Sequence, residues 1–194
     1  RLLSQLGAVV PGHFMNVRGN VLIDDASVHI GVEDQAALIG IGHGLVLAAS
    51  ISLDAIAVAS KNDENIIRIK SAGYPQDEVD CTDLEIKENE KGRSQGIIRG
   101  VVARFKQLGY NVGGFDATTA SQVLSGSGLS SSAAFEVLVC TMLNYLYNDG
   151  KVDPVEIAKI SQWSENVYFG KPCGLLDQRA CSVGGFVSID FEDT

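Results

Sequence analysis

A chain of 194 residues with 45% apolar and 20% charged residues can fill one packed domain and is too short for two comfortable ones. Its formal charge of −9 excludes the basic stripe of a nucleic-acid binder and the polybasic patch of a protein held to anionic lipid. An anionic ligand must then be held by local geometry, through backbone N–H groups or a metal ion, rather than by the overall field.

The chain begins at Arg1 with no apolar signal segment, and its apolar runs break well before the roughly 18 residues of a membrane span. Both observations lead us to expect a cytoplasmic protein, and the ends at Arg1 and Thr194 are expected to be cuts. Cys81, Cys140, Cys173 and Cys181 form no C-x-x-C pair, so thiols are expected rather than a disulfide framework. His13, His29 and His43 lie far from any cysteine cluster, which argues against a zinc site.

In chain order, residues 13–42 alternate at Asn20 to Ile23 and Ser27 to Val32 without a clean period. Residues 45–60, rich in small and β-branched side chains, predict one or two strands, and Ile66 to Ser71 alternates as a half-exposed strand after a polar turn at Asn62 to Asn65. The acidic stretch 73–95 is turn-rich, with a short strand expected at Leu84 to Lys87. Ile97, Ile98, Val101, Val102, Phe105 and Leu108 recur at helical spacing over Ser94 to Leu108, and Gly109 closes the run. Phe115 to Leu124 reads as a strand, followed by an apolar helix to about Leu146. Asp153-Pro154 opens another helix, with aspartate as cap and proline in the first turn, running to about Tyr168. A Gly-Lys-Pro-Cys-Gly loop, a short helix over Leu176 to Ser182 and a strand over Gly185 to Phe191 complete an α+β pattern.

The segment LSGSGLSSSAAFEVLVCTMLN, residues 124–144, carries the strongest chemical signal. Gly126 and Gly128 let the backbone approach a ligand, and Ser127 and Leu129 stand between and after them. Ser130, Ser131 and Ser132 then meet the start of an apolar helix, where unpaired N–H groups and the positive end of the macrodipole favour an anion. Their hydroxyls can add hydrogen bonds or coordinate a phosphate-held magnesium ion. The spacing is neither that of a P-loop nor of a dinucleotide-binding fingerprint, and a Gly/Ser turn with a serine cap is the plainer reading of the same residues.

GSGLSSSAA resembles the second signature motif of the superfamily of galactokinase, homoserine kinase, mevalonate kinase and phosphomevalonate kinase, in the triple-serine form typical of galactokinases. SENVYFGKPCGLLDQ, residues 164–178, is similar to the galactokinase stretch in which a glutamate precedes a P-C-G-L-L-D-Q-like segment. The resemblance implies the N-terminal domain of such a kinase across residues 1–194, with a β-sheet covered by helices on one face. It implies ATP and magnesium as cofactors and galactose as the sugar phosphorylated at its anomeric oxygen, with N-acetylgalactosamine as an alternative.

By the same resemblance, Gly126 to Ser132 cradle the ATP phosphates, and Ser132 and Glu165 hold the magnesium. Asp177, twelve residues beyond Glu165, is the catalytic carboxylate beside the sugar, and Gly174 lets the backbone approach the ring. Taken alone, Glu165 reads as a solvated charge on a helix face, and Asp177 as a helix N-cap. Cys173, Cys181, Trp163 and Tyr168 read as packing residues, and Lys171 as a solvated loop lysine.

The resemblance also expects Pro-Gly-Arg leading into G-E-H-T-D near the start. Here Pro11-Gly12 is followed by His13, and neither E-H-T-D nor N-H-T-D occurs. Arg18, Asp24, Asp25 and Asp34 have no spacing that makes them substitutes. Nothing matches the C-terminal domain with its third glycine-rich motif, so the chain alone is expected to be weak or inactive. The rival reading is a catalytically silent fragment that binds nucleotide or a protein partner.

Overall fold

Alternation of small and β-branched residues makes the sheet. A computed structural model describes residues 22–23, 28–34, 37–40, 45–49, 53–122 and 130–190, with side chains at Ala48 and over 53–122 and 130–188. Among the described residues the strands are β1 (Leu22–Ile23), β2 (Val28–Asp34), β3 (Ala37–Gly40), β4 (Leu45–Ala49), β5 (Leu53–Lys61), β6 (Ile66–Ser71), β7 (Gln76–Asp80), β8 (Phe115–Ser121) and β9 (Phe186–Asp190). The α-helices among the described residues are α1 (Ser94–Gln107), α2 (Ser131–Tyr147), α3 (Pro154–Ser164) and α4 (Leu176–Val183).

The main sheet has the order β1-β2-β5-β8-β6-β7, antiparallel except where β6 runs parallel to β8. A second, antiparallel sheet has the order β3-β4-β9. Along β5, Ala55, Ala57 and Ala59 point inward at every second position, joined by Ile67 and Ile69 of β6 and by Phe115 and Ala117 of β8. These residues share one apolar cluster with α1, α2 and α3, so the helices cover one face. The opposite face is an open groove lined by Ser60, Arg68, Lys70, Asp116 and Thr118, where Arg68 is paired with Glu64, Glu78 and Asp116.

The expected strand at Leu84 to Lys87 does not form; the strand of that region is β7, over Gln76–Asp80. Its sequence QDEVD has a single apolar residue, yet Asp77 and Val79 both face the core, Val79 opposite Ile67, and Ser94 Oγ donates to Asp77 Oδ1 at 2.8 Å. The carbonyls of Asp83 and Leu84 are instead taken by side chains, Arg99 Nη1 and the Tyr168 hydroxyl, so the stretch has no free ladder to offer a sheet.

Helix α2 is apolar nearly all round and is the central helix, buried from Ala133 to Leu146 on most sides. Asn144 Nδ2 donates to the Val152 carbonyl and its Oδ1 accepts from the Val152 N–H, which ties down the link to α3. As expected, Asp153 caps α3, accepting the Val155 N–H at 2.8 Å, with Pro154 as the first helical residue. The expected helix to Tyr168 is regular only to Ser164; residues Glu165–Phe169 form a wider π-helical turn. Gly170, at φ 81°, closes that turn, and the N–H groups of Gly170 and Lys171 both donate to the Glu165 carbonyl.

The turn is pressed against α1. A Cβ at Gly100 would collide with the Ser164 hydroxyl and stand 2.9 Å from Tyr168 Cβ, so only glycine permits this approach. Ser164 Oγ donates to the Ile97 carbonyl at 2.8 Å across the same contact. Trp163 and Tyr168 are packing residues as expected, with ring centroids 5.5 Å apart. This contact sets where Glu165 lies.

Candidate functional site

Gly126, Ser127, Gly128 and Leu129 lie outside the described residues, as do Arg18, Asp24 and Asp25. What is described begins at Ser130, whose backbone is left-handed, φ 54° and ψ 37°. A non-glycine residue held there stores local strain, a state that clusters at ligand sites. Ser130 accepts the Ala134 N–H through its carbonyl, but its side chain makes no capping hydrogen bond. The plainer reading of a serine N-cap is therefore wrong for Ser130. Helix α2, 17 residues long and with no acidic side chain in its first turn, presents the positive end of its dipole without a capping side chain from Ser130. Ser131 and Ser132 sit half-buried in that turn.

One turn on from Ser132 and on the same side of α2 is Glu136, about 5–6 Å away by helical geometry. Glu136 is 0% exposed, Glu165 2% and Gln178 1%. The three come from α2, the widened turn after α3, and α4. Gln178 Nε2 donates to Glu165 Oε2 at 2.9 Å and to Glu136 Oε2 at 3.1 Å. The other oxygens, Glu136 Oε1, Glu165 Oε1 and Gln178 Oε1, are buried without a hydrogen-bond partner. Lys171 Nζ, on the loop, lies 3.5 Å from Glu165 Oε1 as an ion pair without a hydrogen bond.

Glu165 is thus no solvated helix-face charge. Packing against α1 and α4 buries it, which periodicity within its own helix could not reveal. Burial, and then the neighbouring Glu165 carboxylate, push the Glu136 carboxyl well above the ordinary range. Two carboxylates in one dry pocket with three unpartnered oxygens are a costly arrangement that a proton or a cation relieves. Among the described residues no three His, Cys, Asp or Glu side chains gather to hold a metal. The pocket therefore suits an ion that brings phosphate oxygens and water to complete an octahedral shell, as magnesium does.

The loop 170–174 runs beside this pocket. Cys173 donates its N–H to Asn166 Oδ1 at 2.7 Å and accepts Gln162 Nε2 through its carbonyl at 3.2 Å. Burial raises the Cys173 thiol to about 12, which removes it as a nucleophile and agrees with the packing role expected of it. Lys171 is largely exposed as expected, and a Cβ added at Gly174 would meet nothing within 4 Å. Asp177 is half-buried in the first turn of α4. It is not the helix cap: α4 starts at Leu176, so Asp177 is the second residue of the helix.

The fold thus brings Glu165 against the residue that follows Asp177 and leaves Ser132 one turn from the same pocket. Glu136 and Gln178 are the members that reading the sequence missed. Their signals were present: a lone carboxylate inside the apolar run FEVLVC, and the last residue of the P-C-G-L-L-D-Q segment.

Residues 96–185 match the family of GHMP kinases N terminal domain. Over 141 residues, 73% of this chain and 36% of the relative, the chain is 35% identical to a galactokinase of Clostridium tetani. It is 33% identical to a galactokinase of Streptomyces coelicolor across 77% of this chain and 39% of that protein. A galactokinase of Pyrococcus furiosus is 34% identical across 78% and 42%. The chain spans about two fifths of the length of these curated relatives. Among solved structures, Lactococcus lactis galactokinase complexed with galactose shares the fold with a TM-score of 0.72 at 23% identity, over 86% of this chain and 47% of that one. Methanococcus jannaschii mevalonate kinase does so with a TM-score of 0.69 at 16% identity, over 90% and 55%.

Proposed function

We propose that this chain, residues 96–185 of which match the GHMP kinases N terminal domain, serves the ATP-dependent phosphorylation of galactose to galactose 1-phosphate. Residues 1–194 as a whole act in this reading as the N-terminal domain of that enzyme. The observation that carries the chemistry is the α2 N-terminus without a Ser130 side-chain cap, one turn from a buried carboxylate pair with unpartnered oxygens. The choice of galactose rests on the names of relatives 33–35% identical to the chain.

The N–H groups of the first turn of α2, with Gly126 to Leu129 before them, bind the ATP phosphates. Ser132 and Glu165 Oε1, the oxygen without a hydrogen bond, would hold magnesium, which when bound would neutralise charge building on the phosphates. Asp177 orients the anomeric hydroxyl and accepts its proton as the sugar oxygen bonds to the γ-phosphorus and the bond to ADP breaks. The open backbone at Gly174 gives the sugar ring a close approach.

Thermal unfolding of the purified chain alone, with Mg-ATP, and with Mg-ATP plus galactose tests this. A ligand at about 100 times its Kd adds about 2.7 kcal/mol to the folded state, a shift easily read. A rise with Mg-ATP that Ser132→Ala abolishes, and a further rise with galactose, are expected. A transition indifferent to both ligands would sink the proposal.

A further inference from the structure

Three side chains meet in the buried pocket, and the proposed chemistry uses only one of them. Gln178 has two amide hydrogens, and its nitrogen lies within hydrogen-bond distance of both carboxylates, 2.9 Å from Glu165 Oε2 and 3.1 Å from Glu136 Oε2. It also lies 3.6 Å from Cys173 Sγ, on the loop that carries Lys171. This orientation gives each of the two acidic side chains a donor from the same nitrogen. The consequence is visible: Gln178 Oε1 is buried with no partner. An amide that leaves its own acceptor unsatisfied, at a cost of about 1–3 kcal/mol in general, is held for what its nitrogen does.

Its nitrogen engages one oxygen of Glu165 and leaves the other without a hydrogen bond. That other oxygen is on the side reached by exposed Lys171. Glu165 stands on a π-helical turn, where the ladder that normally steadies a helix is widened. With three rotatable bonds, a glutamate there needs an outside partner to keep one rotamer.

We propose that Gln178 is a positioning residue: anchored on Glu136, it fixes Glu165 Oε2 and so leaves Oε1, which has no hydrogen bond, for the nucleotide-bound divalent cation. The inference rests on Glu165 being a metal ligand, as proposed above. In this arrangement Glu136 touches neither nucleotide nor metal and acts only through the amide. A partner behind a metal ligand of this kind is worth about 10–100-fold in metal affinity.

The test uses manganese(II) as the spectroscopic substitute for magnesium, with bound metal read by electron paramagnetic resonance in the presence of a non-hydrolysable ATP analogue. Gln178→Met keeps the volume and removes both donors. It is expected to raise the manganese midpoint about tenfold or more while the affinity for the metal-free analogue stays within twofold. Should Gln178→Met not unfold cooperatively, Glu136→Met removes the anchor instead and must raise the midpoint in the same direction. Glu165→Gln separates the two levels of the argument. A midpoint unchanged in Glu165→Gln overturns the metal reading and this inference together. A midpoint raised in Glu165→Gln and unmoved in Gln178→Met overturns this inference alone, as does an equal loss of metal-free binding, which would mark Gln178 as merely structural.

Discussion

Two buried clusters of charge in this domain are built in opposite ways. In the first half of α1, Arg99, 2% exposed, places Nε and Nη2 on the two oxygens of Glu90 at 2.7 and 2.8 Å and points Nη1 at the carbonyls of Asp80 and Asp83. Opposite charges meet, and the guanidinium gives its remaining donor to the loop carbonyls beside the one that Tyr168 holds. At the Glu136–Gln178–Glu165 cluster, two acidic side chains share one amide donor and three oxygens are left without a hydrogen bond. Satisfied burial holds the fold together, whereas unsatisfied burial marks a place kept for something that arrives from outside.

The largest effect is expected where the satisfied cluster is cut. Arg99→Met leaves Glu90 without its partner, and urea unfolding should report a loss of about 3–5 kcal/mol. A loss under about 1 kcal/mol would mean the clamp is no better than a surface pair. Cutting the other cluster is expected to do the reverse. Glu136→Gln keeps an acceptor for the Gln178 amide and removes a buried carboxyl whose raised pKa costs stability at neutral pH, so stability at neutral pH in metal-free buffer should rise by about 1 kcal/mol.

The pH dependence sharpens that contrast. Because the folded-state pKa of Glu136 is raised, its contribution is fully present below the ordinary glutamate value of about 4.3 and is lost as pH climbs through the folded value. The native chain should therefore lose stability above that ordinary value more steeply than Glu136→Gln, and parallel pH profiles would refute the assignment. The smallest effect belongs to a charge at the surface. Asp153→Ala removes the exposed cap of α3 and should cost about 1 kcal/mol by thermal unfolding, with no change in response to Mg-ATP.

Elements whose pattern is internal to them were legible in the chain. The helical spacing of Ile97 to Phe105, the Asp153-Pro154 start, the alternation of Ile66 to Ser71 and the strands within 45–60 all stand where expected. Strand β7 was not legible, because QDEVD makes a strand only through its pairing with β6 and the seat Ser94 gives Asp77. The site was legible in part. Ser132, Glu165 and Asp177 were picked out on the strength of two motifs, but Glu165 was read as solvated and Asp177 as a cap when each was taken alone. Burial of the first depends on Gly100 of a distant helix, and the start of α4 at Leu176 decides the second.

The sequence by itself determined the resemblance to these kinases and the class of fold, and it named candidate residues, since turn glycines, serine triplets and apolar periods act over a few residues. Only the tertiary structure decided which charges lose water. Desolvation depends on what three separate segments bring to one point, and no local window contains Glu136, Glu165 and Gln178 together.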